Sequence, residues 1–203
     1  MAHAELIIVR HGQSEWNALN KFTGWVDVDL APKGIAEAKE AGEKLKSFTF
    51  DKGFTSELVR AQKTLTGILE ITGQTDLEVV RNQALNERMY GDLQGKDKDE
   101  ARREFGEEQV HIWRRSFDTP PPGGESLKGT ADRVLPYYKD VIEPELKQGK
   151  TIIIAAHGNS LRALIMYLED LSREEILKTE VPTGKPRRYT FDAELNVLTS
   201  DYI

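Results

Sequence analysis

Leu6-Ile7-Ile8-Val9-Arg10-His11-Gly12 and Thr151-Ile152-Ile153-Ile154-Ala155-Ala156-His157-Gly158 are the two stretches whose reading decides the fold. Each begins as a short, continuous, β-branched run, the pattern of a strand buried on both faces of a parallel sheet. Each run stops at a His-Gly pair, and a polar residue able to cap a helix follows within two positions, Ser14 in the first and Asn159 or Ser160 in the second. Open α/β sheets bind ligands beyond the carboxyl ends of their strands. Two such strands, parallel and near the sheet centre, would therefore open both imidazoles onto one pocket. The glycine after each histidine is expected to let the backbone turn sharply and to bring free N–H groups close to a ligand.

Outward from these runs the pattern turns helical. Pro32 suits a first-turn position, and Ile35, Ala38, Ala41/Gly42 and Leu45 follow at helical spacing. Residues 48–55 read as a short strand, and Ser56 as the N-cap of a helix through Leu58, Ala61, Leu65 and Leu69 that Gly73 ends. Residues 77–80 read as a strand near an edge, and residues 98–105 and 107–115 as two helices broken at Gly106. Residues 118–124 (DTPPPGG) form a loop, because three prolines and two glycines sustain neither helix nor ladder. A longer helix follows, kinked at Pro136 and finished by Pro144 or Gly149, and Ser172 with Glu175 forms a capping box. Residues 189–191 and 197–200 make a terminal hairpin or edge strands. The alternation predicts an α/β fold: a single domain over residues 1–203, built as a three-layer α/β/α sandwich on a mainly parallel central sheet, with the active site at the C-terminal ends of the strands.

Composition narrows the function. The 203 residues carry 28 Lys and Arg against 34 Asp and Glu, a net charge of −6. That balance argues against general nucleic-acid or anionic-membrane binding, so an anionic ligand needs a local cluster of Arg or Lys. The absence of cysteine excludes disulfides, thiolate metal sites and cysteine nucleophiles. The longest apolar run, Ile152 to Ala156, is far too short for a bilayer, and the N-terminus lacks the pattern of a signal peptide. A soluble, cytoplasmic protein is expected.

His11 and His157 share the strand-end setting, whereas His3 and His111 do not. No metal is expected, since neither an H-x-x-x-H pair nor a carboxylate spacing completes a site. Residues 124–130 (GESLKGT) lack the lysine of a nucleotide P-loop, and no G-x-G-x-x-G occurs. Arg10, Arg60, Arg114 and Arg115 can hold an anion bidentately. Glu87 and Arg88 lie in a polar turn. These residues support a metal-free anion site lined by histidine and arginine and leave the reaction open.

RHGQSEWN (10–17) with AHGNSLRAL (156–164) resembles the histidine phosphatase superfamily. TGW (23–25), SELVRAQKT (56–64), LNERMYGDLQG (85–95), WRRS (113–116) and GESL (124–127) extend the likeness to the cofactor-dependent phosphoglycerate mutases. RHG alone fits a phosphatase equally; NERMYGDLQG and WRRS carry the mutase signal. The resemblance implies that His11 is a nucleophile that becomes phosphohistidine, that His157, Arg10 and Arg60 stabilise the transferring group, and that Glu87 is the general acid/base. It further implies that Ser14, Asn17, Thr23, Gly24, Arg88, Met89, Tyr90, Lys98, Arg114, Arg115, Gly158 and Asn159 bind substrate. The implied reaction interconverts 3-phosphoglycerate and 2-phosphoglycerate, primed by 2,3-bisphosphoglycerate and without a metal. A histidine phosphatase hydrolysing small phosphate monoesters is the alternative. Longer family members carry an insertion where this chain has only residues 118–124, which admits a monomer as well as a homo-oligomer. Many also continue past the equivalent of Ile203 with a mobile tail; without it the phosphohistidine is more open to water, and phosphatase side activity is expected.

Overall fold

The computed structural model describes residues 3–203; the first two residues of the domain expected over 1–203 lie outside the described residues. The chain runs through β1 (Ala4–Arg10), a short α1 (Glu15–Ala18), α2 (Pro32–Lys44), β2 (Lys52–Thr55), α3 (Val59–Thr72) and β3 (Val79–Arg81). It continues through α4 (Lys98–Phe105), α5 (Glu107–Arg115), α6 (Leu127–Tyr137), a π-helical turn (Tyr138–Ile142) and α7 (Glu143–Lys147). Then come β4 (Thr151–Ala156), α8 (Gly158–Leu168), α9 (Arg173–Lys178) and a closing hairpin of β5 (Arg187–Phe191) and β6 (Val197–Tyr202).

The six strands order as β3-β2-β4-β1-β5-β6. The first four are mutually parallel, and β5 and β6 add antiparallel to β1. Successive strand side chains point to opposite faces, and the core divides accordingly. Leu6, Ile8, Ile152 and Ile154 pack with Val134, Leu161, Leu164 and Ile165 of α6 and α8. Ile7, Val9, Ile153 and Ala155 pack with Ala41, Leu45, Leu65 and Ile68 of α2, its C-cap and α3. Helices therefore cover both faces, the three layers that the β-branched runs predicted. A separate small core of Phe22, Leu93, Ala101 and Val110 binds α4 and α5 to the main body. No helix among the described residues is long and apolar enough to cross a membrane.

Several boundaries depart from expectation for identifiable reasons. The strand expected over residues 48–55 begins only at Lys52, because the Gln74 side chain clamps the preceding backbone: Phe50 N donates to Gln74 Oε1 at 2.8 Å and Gln74 Nε2 donates to Phe48 O at 3.0 Å. Ser56 does not cap α3, whose N-cap is Leu58; the first helical N–H, on Val59, goes instead to Asp27 Oδ1 at 2.7 Å. Neither proline finishes the long helix. Pro136 lies inside α6, the widened π turn follows, and Pro144 begins α7 as a first-turn residue, which needs no N–H donor. Gly149, at φ 80°, then ends the segment as expected. Ile35 lies off the buried stripe of α2 and is exposed. Gly106 separates α4 from α5, Gly73 ends α3 at φ 71°, and the Ser172 capping box caps α9, all as the sequence predicts.

The loop after β1 is pressed against the first turn of α2. A Cβ on Gly34 would stand 2.1 Å from Gln13 O, and one on Gly12 would stand 2.2 Å from Gly34 O. Helix propensity alone favours alanine over glycine by about 1 kcal/mol inside a helix. The approach of two backbones reverses the sign, and Gly34→Ala is expected to destabilise the protein by about 1–3 kcal/mol, the cost typical of forced overpacking. Urea denaturation of the variant measures this, and a variant more stable than the parent would contradict the close approach.

Candidate active site

Parallel pairing of β1 with β4 sets Arg10 opposite Ala156. The next residue of each strand is a histidine, and His11 N donates to Ala156 O at 2.9 Å. The imidazoles of His11 and His157 consequently lie side by side, ring centroids 5.0 Å apart, and both are buried. His11 Nδ1 is 2.6 Å from Gly12 O. A carbonyl only accepts, so Nδ1 carries the proton and Nε2 keeps its lone pair. Burial lowers the His11 pKa well below its ordinary value, and the charges of Arg60 and Arg10 push the same way. The ring is thus a neutral imidazole with its nucleophilic nitrogen uncommitted. His157 is lowered likewise by burial, then by Arg60, His11 and Arg10. Its Nε2 pairs with Ser56 Oγ at 2.7 Å, while its Nδ1 is buried without a partner. The same hydroxyl accepts from Leu58 N at 3.1 Å, so Ser56 closes the turn ahead of α3 rather than capping the helix.

The two His-Gly glycines do not supply the backbone freedom their sequence context suggests. Neither Gly12 nor Gly158 has a positive φ. Gly12 is needed for the backbone contact with Gly34, whereas a Cβ on Gly158, the first residue of α8, would meet the Arg10 guanidinium at 3.4 Å, an ordinary contact that does not require glycine. The N-cap of α8 is His157 itself rather than a residue after the His-Gly pair, whereas Ser14 does cap α1, accepting from Asn17 N at 3.1 Å. The N-terminus of α8 adds its partial positive charge to the same side of the site, with the Asn159 N–H donating to Glu87 Oε1 at 3.1 Å.

A cavity of about 210 Å³ opens beside His11. Its walls carry Arg10, Lys21, Arg60, Arg88, Lys98, Arg114, Arg115 and Arg162 against two carboxylates, Glu87 and Glu180. Eight cations against two acids, in a chain of net charge −6, make a local field suited to a small, multiply charged anion. Arg60 donates to Gly24 O at 2.7 Å and Val26 O at 3.0 Å, and Arg10 donates to Val181 O at 2.8 Å. Arg162 donates to Asn159 Oδ1 at 3.1 Å and Ile176 O at 2.6 Å. Arg60 and Arg162 spend both terminal nitrogens on protein oxygens and Arg10 one, and each leaves Nε buried and unmatched. Seven of the nine buried, unpartnered side-chain N and O atoms among the described residues belong to this neighbourhood: Arg10 Nε, Thr23 Oγ1, Arg60 Nε, Arg88 Nε and Nη1, His157 Nδ1 and Arg162 Nε. Buried donors are rarely left unsatisfied except where function uses them. Burial brings Arg60 down to about 10, partly offset by Glu87 and Asp27. Lys98 and Arg114 are lowered by burial and by neighbouring cations. Burial tends to raise the Tyr90 phenol, yet the Arg88 and Arg114 charges bring it below its ordinary value.

Glu87 Oε1 accepts from Arg88 N at 2.8 Å and Asn159 N at 3.1 Å, which fixes the carboxylate at the cavity wall. Across from it, Lys98 and Arg114 lie 5.9 and 6.0 Å from the Phe22 ring, so the small core under α4 and α5 supports the far wall. Of the residues expected to bind substrate, Asn17, Thr23, Gly24, Arg88, Tyr90, Lys98, Arg114, Arg115, Gly158 and Asn159 line the cavity. Ser14 and Met89 stand behind it. Ser14 acts through its cap on Asn17, and the Met89 N–H donates to Glu125 Oε2 at 3.1 Å. Lys21, Phe22, Arg162, Glu180 and Val181 also line the cavity and were not singled out from the sequence. Arg162 is one helical turn beyond Asn159 in α8, a spacing that could have revealed it. Glu180 and Val181 lie in an irregular segment with no periodic signal; Glu180 accepts from Arg115 at 2.9 Å at the exposed rim.

The buried neutral histidines have a thermodynamic consequence. Their folded-state pKa values lie below those of an unfolded chain, so from about pH 6.5 downward the unfolded state binds more protons. Stability is full above that pH and falls with acidification, by at most about 1.4 kcal/mol per pH unit for each histidine. Urea denaturation between pH 7.5 and 5 should show this slope, reduced by about half in His157→Gln if the two histidines dominate it. An identical slope in the variant would contradict a buried neutral His157.

Residues 6–200 match the histidine phosphatase superfamily (branch 1). The chain is 58 % identical, over 98 % of its length and 97 % of the relative's, to a 2,3-bisphosphoglycerate-dependent phosphoglycerate mutase of Mesorhizobium japonicum. It is 59 % identical to one of the same name from a Bradyrhizobium strain, covering 97 % of this chain and 96 % of that one. In fold it is similar to a phosphoglycerate mutase of Bacillus anthracis (TM-score 0.78, 21 % identity, 98 % of this chain and 92 % of that one). It is similar in the same way to a mycobacterial glucosyl-3-phosphoglycerate phosphatase (TM-score 0.84, 23 % identity, 98 % and 97 %). With a family match across nearly the whole chain and the paired strand-end histidines in place, the protein belongs to the histidine phosphatase superfamily.

Proposed function

We propose that this protein is a 2,3-bisphosphoglycerate-dependent phosphoglycerate mutase, interconverting 3-phosphoglycerate and 2-phosphoglycerate in glycolysis and gluconeogenesis, in the cytoplasm. Relatives at 58–59 % identity over nearly the full chain carry that name. The observation that carries the proposal is the cavity: a neutral imidazole with a free Nε2 at one end and a cationic wall of Lys98, Arg114 and Arg115 at the other. A monoester of phosphate alone would need only the near end, whereas a compact molecule bearing phosphate and carboxylate occupies both.

The unmatched donors of Arg10, Arg60, Arg88 and Arg162 fit a ligand with several anionic oxygens, so 2,3-bisphosphoglycerate suits the same cavity. When bound, it supplies the priming phosphoryl group to His11. Phosphorylated His11 then faces the hydroxyl of a phosphoglycerate whose anionic groups are held by Lys98, Arg114 and Arg115. As the hydroxyl oxygen bonds to phosphorus and the N–P bond breaks, Glu87 takes the hydroxyl proton. After the doubly phosphorylated glycerate turns over in the cavity, His11 Nε2 attacks the other phosphorus. The departing oxygen recovers the proton from Glu87. Arg10, Arg60 and His157 hold the equatorial oxygens in each transfer, where positioning and charge stabilisation are the main catalytic tasks. Arg88, Tyr90, Asn17, Thr23, Gly24, Gly158 and Asn159 complete the binding surface, supported from behind by Ser14 and Met89. The cations take the part that a divalent metal plays in many phosphoryl transfers, and the reaction is proposed to need no metal.

An enolase-coupled assay from 3-phosphoglycerate, with free phosphate measured in parallel, tests the proposal. Isomerisation stimulated by trace 2,3-bisphosphoglycerate and unaffected by EDTA is expected, with little phosphate released. Phosphate release without isomerisation would make water the acceptor and the protein a phosphatase. His11→Ala should abolish both turnover and acid-labile phosphate on the protein, and a fully active variant would overturn the mechanism.

A further inference from the structure

The turn that carries Glu87 has no regular ladder to hold it. It follows a single 3₁₀ turn, Gln83–Leu85, and runs through Asn86 in an extended conformation. One side chain supplies donors to three of its backbone carbonyls. Arg133, on α6 and outside the cavity wall, donates from Nη1 to Ala84 O at 2.8 Å and Asn86 O at 3.0 Å, and from Nη2 to Glu87 O at 2.8 Å. The same guanidinium forms a two-pronged pair with Glu125, Nε to Oε1 at 2.9 Å and Nη2 to Oε2 at 2.8 Å. Glu125 Oε2 in turn accepts from Met89 N at 3.1 Å, on the other side of Glu87. The Trp25 ring covers the guanidinium at 5.5 Å, and its Nε1 donates to Glu87 O at 2.5 Å.

We propose that Arg133 is the positioning residue for the general acid/base: it touches no substrate, but with Glu125 and Trp25 it fixes the backbone on both sides of Glu87 and so aims the carboxylate. The inference rests on the role given to Glu87 above. Three properties single out Arg133 among the polar side chains behind the site. A planar fork can reach three carbonyls and a carboxylate at once, which no ammonium can. The Glu125 partner pairs with its charge, which reaches the site only as the last of the cations that lower His157, so its main contribution there is geometric. Both oxygen lone pairs of the Glu87 carbonyl are taken, by Arg133 and Trp25, leaving the peptide no alternative orientation at low cost. A carboxylate misplaced by even about 1 Å loses much of its value as a proton donor.

A proton donor matters only when the leaving oxygen needs a proton, and this separates aim from general integrity. Phosphoglycerates leave as alkoxides and require the proton; 2,4-dinitrophenyl phosphate leaves as a stable phenolate and does not. In both, the His11 Nε2–phosphorus bond forms as the phosphorus–oxygen bond breaks. Arg133→Met is expected to lower total turnover of phosphoglycerate, isomerised plus hydrolysed, by about 30-fold with KM changed less than threefold, part of the 10²–10⁴ that a positioned acid/base supplies. The burst of dinitrophenolate that reports His11 phosphorylation should fall less than threefold. Equal losses on the two substrates, or no loss on either, would overturn the positioning role. Should Arg133→Met fail to fold, Glu125→Gln is measured in the same way, with a loss of fivefold or more expected on phosphoglycerate alone. Wild-type protein that hydrolyses phosphoglycerate without isomerising it would refute the mutase proposal and leave the leaving-group comparison intact. A Glu87→Gln variant whose loss is the same on both substrates would refute the role of Glu87 and the inference with it.

Discussion

The parallel register of β1 against β4 is the constraint on which the site depends. Arg10 faces Ala156 across that pair, so the next residues, His11 and His157, emerge from the sheet together. A slip of one residue would reverse every side chain of one strand between the two faces. It would carry Leu6 and Ile8 out of the α6–α8 core and Ile7 and Val9 out of the α2–α3 core. The pairing of the His11 and His157 rings is therefore enforced by hydrophobic burial on both faces of the sheet, at roughly 1.5–3 kcal/mol for each large aliphatic side chain. No interaction between the imidazoles themselves has to hold them together.

What the register assembles is electrostatically unfavourable by itself. Several cations share a small, poorly solvated space, and their mutual repulsion lowers the pKa values of Lys98, Arg114 and Arg162 beyond the effect of burial. The protein relieves this without neutralising it. Backbone carbonyls at Gly24, Val26, Val181, Ile176 and Arg114 accept from the guanidinium groups, and a carbonyl supplies partial negative charge while leaving the arginine fully ionised. Carboxylate partners would give stronger pairs but would also compete with an anionic substrate. Glu180, the one acid paired with a cavity arginine, is confined to the exposed rim, where such a pair is weak. The folded state thus carries a local instability that ligand binding offsets, the usual relation between a preorganised site and its stability.

The fold was legible from the sequence because local signals and burial agree along most of it. The β-branched runs, the break at Gly106, the αL stop at Gly73 and the Ser172 box each report a local conformation that nothing distant opposes. The failures came where a distant partner took over a residue's local capacity. Ser56 has the chemistry of a cap, but its hydroxyl pairs with His157 and accepts from Leu58 N, before the first residue of α3. Gly12 has the freedom to turn, but its use is room for the close approach of Gly34. Gln74 stops a strand from across the α3–β3 connection. In the site the same division holds. Residues inside contiguous motifs could be carried over from a family resemblance, and Arg162 lay within reach of one at helical spacing, while Lys21, Glu180 and Arg133 act through contacts that only the tertiary structure creates.

The cavity draws on two cores with different obligations. His11, His157, Arg10 and Arg60 stand on the sheet and the helices packed against it, where a shift of any element disturbs a large buried core. Lys98 and Arg114 stand on α4 and α5, attached through the four-residue core of Phe22, Leu93, Ala101 and Val110. A smaller core has less to lose by opening, since opening free energy follows the buried apolar area that must be exposed. In the proposed reaction, the wall assigned to substrate recognition thus rests on the smaller core, and the wall assigned to phosphoryl transfer rests on the larger one. That asymmetry suits a reaction whose intermediate must reverse within the cavity: the reacting imidazole needs positional precision in both half-reactions, whereas the far wall has to receive first one end of the molecule and then the other.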